Sequence, residues 1–378
     1  MTIYLDNAST TKPCEAAVKA ALRMMTETYG NPSSLHKMGL AAELEITAAR
    51  KIIADAIAVT PNEIYFTSGA SESTAALILG LWQNFGKRKN GIITTTVEHP
   101  SVKETVNTLE KLGAKVIRIS PGKDGQFSPK DFADAVDENT LLCTVMHVNN
   151  ETGAILPLKE IFGAVKRVNP DVITHTDAVQ SFMKLPLKAA DINTDSITIS
   201  AHKVHGIKGS GALYIKKGIR VAYLIPGGGQ ERGFRSGTEA VPAIIAFGAA
   251  VKTLLPDIKS ALKRTEVLNK NLRERLSELR FITINSPDDA IPYILNFSVR
   301  GIRSEIMLHF LEGEDIFVSS GSACSKGKGS GVLTAFGVKD KDADETIRVS
   351  FSRETSAEEL EKLVAAINTG YEKLQKNR

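Results

Sequence analysis

The chain has 378 residues, 42% of them hydrophobic and 24% charged, the make-up of an ordinary globular protein too long for one small core, so a large domain plus a smaller one is expected. Its formal net charge of +4, from 47 basic and 43 acidic residues, is too slight to call for nucleic acid or an anionic membrane as a partner. No apolar run reaches the ~18 residues of a membrane span, Met1–Asp6 lacks the basic and apolar regions of a signal peptide, and three cysteines with no CxxC provide neither a disulfide framework nor a zinc site; a reducing cytoplasm and no metal are expected.

In chain order, Cys14 follows Pro13 at a helix start and reads as structural. From about Glu63 to Ile215 short apolar, β-rich runs alternate with helical patterns. The runs are Ile64–Phe66, Ile92–Val97, Val116–Ile119, Leu141–Val148, Val172–Thr176, Ser196–Ile199 and Ala212–Ile215. Between them lie helices predicted over Ser71–Trp82, Ser101–Leu112, Asp131–Val136 and Lys159–Val168. Continuous rather than alternating hydrophobicity marks strands buried on both faces, hence an α/β domain with a mostly parallel seven-stranded sheet between helices. Cys143, inside one of these runs, reads as buried and inert.

After the glycine-rich Pro226–Gly233 stretch the pattern changes. Helices are predicted at Val241–Leu254, Asp257–Leu279, Arg303–Leu311 and Ala357–Leu374, with isolated strands at Phe281–Ile284, Ile294–Val299, Phe317–Ser319 and Thr346–Phe351. This is the pattern of a smaller α+β domain. The division expected is an N-terminal arm (1–15) packing with the small domain, a large domain (16–255), and a small C-terminal domain (256–378).

In open α/β sheets ligands gather beyond the carboxyl ends of the strands, so the residues that follow each run matter most. Thr67-Ser68-Gly69-Ala70-Ser71 opens a helix whose free N–H groups either seat a phosphate or carry an ordinary Ser/Thr cap. His99 ends a strand and is either structural or functional; Asn149–Gly153 is either a turn or part of a site. Asp177 either caps the next helix or faces a cationic ring nitrogen. Lys203, after Ser200-Ala201-His202, is either a solvated charge or a partly desolvated amine able to form a Schiff base. Together, a phosphate seat, an Asp, a Lys beside Ser/His and a strand-end His describe one ligand, pyridoxal 5'-phosphate.

Ser200-Ala201-His202-Lys203, Thr176-Asp177-Ala178-Val179-Gln180-Ser181, Val148-Asn149-Asn150-Glu151-Thr152-Gly153, Gly233-Phe234-Arg235-Ser236-Gly237-Thr238 and Ser320-Gly321-Ser322-Ala323-Cys324-Ser325 together resemble the cysteine desulfurases. These belong to the class-V aminotransferase branch of fold-type I pyridoxal-phosphate enzymes, and the likeness runs in family order from Tyr4 to Arg348. The resemblance implies that Lys203 bonds the cofactor and moves the substrate's Cα proton. Asp177 would pair with the pyridine nitrogen, with Gln180 and Asn150 near the ring hydroxyl. His99 would stack on the ring and assist proton transfer; Ala70, Ser71, Ser200 and His202 would hold the phosphate. Thr238 would reach the neighbouring subunit's phosphate, implying a homodimer, while Arg348 and Asn31 would clamp the substrate carboxylate.

The same resemblance makes Cys324 the residue that takes sulfur from L-cysteine as a persulfide, leaving alanine. Its surroundings, small, polar and glycine-rich, suit a mobile loop. The sulfur would pass to an acceptor protein, an iron–sulfur scaffold or a tRNA-thiolation enzyme. The lysine- and glycine-rich Lys326–Gly331 segment departs from relatives with small, then apolar residues there, which leaves that acceptor open. A selenocysteine lyase, or another class-V lyase or aminotransferase, is the alternative, and Cys324 argues against those that need no persulfide. A nucleotide-binding scaffold built on Pro226-Gly227-Gly228-Gly229 lacks both GxxxxGK[ST] and a strand-to-helix GxGxxG.

Overall fold

The computed structural model describes residues 2–320 and 331–375. Strands are β1 (Ile3–Tyr4), β2 (Ile64–Thr67), β3 (Gly91–Thr95), β4 (Lys115–Ile119), β5 (Thr140–Thr144), β6 (Ile173–Asp177), β7 (Ser196–Ser200), β8 (Gly211–Ile215), β9 (Ile282–Ile284), β10 (Ile294–Val299), β11 (Ile316–Phe317) and β12 (Thr346–Ser350). Helices are α1 (Glu15–Thr26), α2 (Lys37–Ala56), α3 (Ala70–Phe85), α4 (Pro100–Lys111), α5 (Pro129–Asp134), α6 (Leu158–Val168), α7 (Val241–Leu254), α8 (Ile258–Ser277), α9 (Ser304–Gly313), α10 (Gly331–Ala335), α11 (Asp340–Ala343) and α12 (Ala357–Gln375).

Strands β2 to β8 form the seven-stranded sheet in the order β2-β8-β7-β6-β5-β3-β4. Neighbours pair in parallel except around β8, which is antiparallel to both β7 and β2. Reversal at β8 alone restores the direction of β2, so the carboxyl ends of β2, β3, β5, β6 and β7 meet on one edge. The sheet is covered on both faces, as its apolar runs require. Ile64, Phe66, Ile197 and Ile199 pack with α2 and α7, and Ile93 and Cys143 with α6. Ile92, Leu142, Leu213 and Ile215 meet α3 and α4. One predicted run is shorter than expected: β5 stops at Thr144, and Val148 instead bridges Ile155 in the loop beyond.

The later strands make a three-stranded antiparallel sheet, β12-β10-β9, packed with α8, α9 and α12. The N-terminal arm joins this core: β1 pairs in parallel with β11, and Ile3, Leu5 and Ala8 are buried in the same cluster. Asn7 Nδ2 donates to Ser350 O at 3.0 Å and Ala8 N to Ser350 Oγ at 2.8 Å. These bonds carry Asp6, Ala8 and Ser9 past the end of β12 toward the large sheet. The helical run Val241–Ser277 includes a stretch with mean hydropathy 1.5, and 61% of that stretch is buried inside the protein, α7 packing against α1 and α2.

Candidate active site

Five strand ends supply the predicted residues to one edge. Where β2 ends, Gly69 leads into α3, whose first turn holds half-buried Ala70 and exposed Ser71. Gly211 of β8 lies directly behind: a Cβ there would come within 2.7 Å of Gly69 Cα, so only glycine lets the strand approach this closely. No side chain caps α3, and its first N–H groups are available to an anion.

His99 sits two residues past β3's turn as the N-cap of α4, with Pro100 as the first helical residue. Its Nδ1 is fixed by Ser101 Oγ at 2.8 Å and Ser101 N at 3.1 Å, which leaves Nε2 for a ligand. At the end of β6, Asp177 is buried, 6% exposed, and accepts from Val179 N at 3.0 Å. Burial raises the proton affinity of Asp177, opposed by His99 and Lys203; burial lowers that of His99, opposed by Asp177. A carboxylate placed so needs a cationic partner, and a protonated ring nitrogen fits that need.

Ser200, the last residue of β7, is buried, and the turn Ala201–Lys203 follows. Lys203 Nζ donates to Ala8 O at 2.6 Å and Ser9 O at 2.7 Å, both on the N-terminal arm. Burial first, then Arg348, lowers its pKa to about 8, against the pull of Asp177 and Asp6. An amine so depressed is a usable nucleophile and base near neutrality. His202 Nδ1 meets Thr10 Oγ1 at 3.2 Å, and burial with Lys203 holds this imidazole neutral, its pKa near about 4.

Gln180 and Arg348 converge on the same arm. Gln180 Nε2 donates to Ala8 O at 2.9 Å. Arg348, 3% exposed, donates through Nη1 to Asn150 O at 2.8 Å and through Nη2 to Asp6 Oδ1 and Ser9 Oγ at 2.9 and 2.7 Å. Its fork is therefore occupied by protein groups, with which any incoming anion would have to exchange. Asn31 and Thr238 are exposed; Asn31 Oδ1 accepts from Ser33 N at 2.9 Å. Cys324 lies outside the described residues, whereas Cys143 is buried with its thiol pushed up by desolvation.

Sequence reasoning missed several groups here. Lys184 is buried and donates to Gln180 Oε1 at 2.9 Å. Glu98 is buried beside His99, bonded to Thr95 Oγ1 and Met146 N. Below the edge, Thr144 Oγ1, His175 and Thr198 Oγ1 link β5, β6 and β7 through contacts of 2.8 and 3.1 Å. The available signal was spacing: Lys184 follows Gln180 by four, and Glu98 adjoins His99. The arrangement fits pyridoxal phosphate: an anion seat, a buried carboxylate, an imidazole with one free nitrogen and a depressed lysine share one edge.

The aminotransferase class-V family profile matches residues 3–363. The chain is 40% identical to a NifS/IcsS protein homolog of Lactobacillus delbrueckii subsp. bulgaricus, over 99% of this chain and 98% of that one. It is 36% identical to the cysteine desulfurase IscS of Methanosarcina thermophila, over 99% and 93%. Among solved structures, a NifS-like protein superposes with a TM-score of 0.93 at 35% identity, covering 99% of this chain and all of that one, 100%. A structure described as SspA in complex with cysteine superposes at 0.82 with 33% identity, covering 94% and 100%.

Proposed function

Since the chain belongs to the aminotransferase class-V family, among its cysteine desulfurases, we propose that it converts L-cysteine to L-alanine and keeps the sulfur as a persulfide on Cys324. The observation that carries this reading is the convergence of Asp177, His99 and the depressed Lys203 at one sheet edge. Bound pyridoxal phosphate supplies an electron sink that weakens bonds at the substrate's Cα and Cβ.

The chain's own residues do the rest. Ala70, Ser71, Ser200 and His202 hold the phosphate, and Asp177 keeps the ring nitrogen charged. Gln180 and Asn150 would lie beside the ring hydroxyl, and His99 would cover the ring. Arg348, released from Asp6 and Ser9, binds the substrate carboxylate with Asn31. Lys203, with its pKa lowered to about 8 and so about half neutral at pH 8, takes the Cα proton and returns it. His99, neutral through burial, passes a proton by Nε2. The Cys324 thiolate attacks the substrate sulfur, so an S–S bond forms as the Cβ–S bond breaks, and the carbon skeleton gains a proton to leave as alanine.

Residues 1–15 and 256–378 form the small domain that brings Arg348 and Cys324 to the large domain, 16–255; burial of Ile3, Leu5 and Ala8 with β10 and β12 supports that division. The active form is a homodimer in which Thr238 reaches the partner's phosphate seat. Exposed Leu22, Met25, Tyr29, Leu35, Leu40 and Leu44 support a protein surface there. The persulfide passes to an acceptor protein in the cytoplasm, for iron–sulfur assembly or tRNA thiolation.

The test is alanine and sulfide release from L-cysteine with dithiothreitol. Wild type should release both, Cys324→Ala should release neither yet stay yellow, and Lys203→Ala should lose both activity and colour. Alanine formation that survives Cys324→Ala would overturn the persulfide step, and a yellow wild type that leaves cysteine untouched would overturn the substrate.

A further inference from the structure

Gln180 and Lys184 lie in the turns after β6, closed by Phe182 N to Ala178 O at 2.8 Å and Leu185 N to Ser181 O at 2.8 Å. That four-residue spacing puts the two side chains side by side. Lys184 Nζ donates to Gln180 Oε1 at 2.9 Å, Gln180 Nε2 donates to Ala8 O at 2.9 Å, and the same carbonyl accepts from Lys203 Nζ at 2.6 Å. Gln180 and Lys184 are only 4% and 7% exposed.

No carboxylate pairs with Lys184 among the described residues. The charged and titratable groups that face it are Lys203, Arg348, His202 and His205. Tyr293 presents its ring at 6.0 Å. A cavity of about 20 Å³ beside it is lined by Lys203, His205 and Arg353, and by no acidic side chain. A buried ammonium among cations is costly. Among the described residues its one short polar contact is the Gln180 amide, and that contact has a directional consequence.

A primary amide presents a carbonyl at one end and two N–H donors at the other. Flipping Gln180 would set its NH₂ against the Lys184 ammonium and its carbonyl against Ala8 O, two repulsions in place of two bonds. We propose that Lys184 is a positioning residue that locks the Gln180 amide so that an N–H, and never the carbonyl, faces the hydroxyl of pyridoxal phosphate; this rests on the placement of Gln180 given under Proposed function. Burial, with Lys203 and Arg348, lowers the Lys184 pKa to about 7, so the lock is strongest in neutral to acid solution.

The test follows the visible absorbance band of the bound cofactor through a pH titration, with thermal unfolding alongside. The holoenzymes compared are wild type, Lys184→Met, Lys184→Arg, Gln180→Ala and the Lys184→Met/Gln180→Ala double variant. Loss of a donor at the ring oxygen favours the protonated chromophore. Lys184→Met and Gln180→Ala should therefore each raise the titration midpoint by about one pH unit, tenfold in proton affinity. The double variant should move it no further, and Lys184→Arg should return it toward wild type. A Lys184→Met midpoint equal to wild type would overturn the proposal and leave the residue structural. So would shifts that add in the double variant, or a Gln180→Ala midpoint that stays put, since the effect would then bypass the amide. A wild type without the band, or a band that survives Lys203→Ala, would instead overturn the site assignment, so the two failures are distinguishable.

Discussion

Glu98 shows what the active edge demands of a single side chain. Its Oε1 accepts from Thr95 Oγ1 at 2.7 Å and Met146 N at 2.9 Å, while Oε2 is buried without a partner among the described residues. Desolvation outweighs those bonds, and the nearby Asp177 adds to it, so the pKa is pushed up to about 8. The folded protein thus keeps a proton that the unfolded chain releases near pH 4.5. Stability from this group is complete below that value, is lost as pH rises toward 8, and is level above it. Glu98→Gln keeps the acceptor and removes the titration. Its advantage over wild type should grow from pH 5 to pH 8 and then stop, reaching about 2–4 kcal/mol at about 1.4 kcal/mol per pH unit. Urea midpoints across that range check it, and a difference independent of pH would sink the argument. His147 and His175 act in the opposite sense. Held neutral by burial, with pKa values of about 4 and about 3, they stabilise the fold above pH 6.5 and lose that contribution as the solution turns acid.

Among the elements, β8 and α3 connect packing to cofactor binding. Gly211 lies between Thr67 of β2 and Ser200 of β7 in the ladder, and a methyl group there would press on Gly69 Cα and on Ile199 O, 2.7 and 3.0 Å away. Gly211→Ala should therefore displace the start of α3, weaken cofactor binding about tenfold or more, and cost about 1–3 kcal/mol of stability. Titration of cofactor into the apoprotein reads the first effect, and unchanged affinity would break the link between this strand and the phosphate seat. The strand ends were legible from sequence because β5 and β8, buried at every position, print short continuous apolar runs, and β7 is rich in β-branched residues. Helix α2 was not. Its inward face uses small residues such as Gly39, Ala42 and Ala49, while Leu40 and Leu44 face outward, which blurs the amphipathic stripe. Lys184 and Glu98 were missed for another reason. A charged residue in a turn is solvated by default, whereas here Glu98 is enclosed with Thr95 and Met146, and Lys184 with Gln180, which itself bonds the folded-back arm at Ala8. The Arg50–Glu231 pair shows the same limit: a bidentate contact at 2.7 Å between α2 and the glycine-rich segment, at a separation no local pattern reveals.

For the whole molecule, the question is what completes the site in a single protomer. Leu22 and Met25 on α1, Leu40 and Leu44 on α2, and Tyr29 and Leu35 between them are each at least half exposed, on helices tied together by Arg23–Glu45 at 2.7 Å. Asn31 lies in the same connection, and Thr238 is exposed beyond the segment that Glu231 anchors to Phe66 N at 2.9 Å. In the two-fold dimer proposed above, this patch of each protomer would be buried against its copy, and a residue at its rim could then reach the other subunit's site. Leu22→Asp/Leu44→Asp should accordingly shift sedimentation to the monomer and weaken cofactor retention together. The stricter measurement mixes Lys203→Ala and Thr238→Ala subunits and isolates the hybrid dimer. If Thr238 acts across the interface, one of the hybrid's two sites has lost both residues and the other has both intact, so the hybrid binds cofactor at one site with wild-type affinity. If Thr238 acts within its own subunit, one site lacks Lys203 and the other lacks Thr238, and no site in the hybrid reaches wild-type affinity. Cofactor titration of the hybrid separates these outcomes, and the second would remove the shared active site while leaving the chemistry at Lys203 and Asp177 as argued.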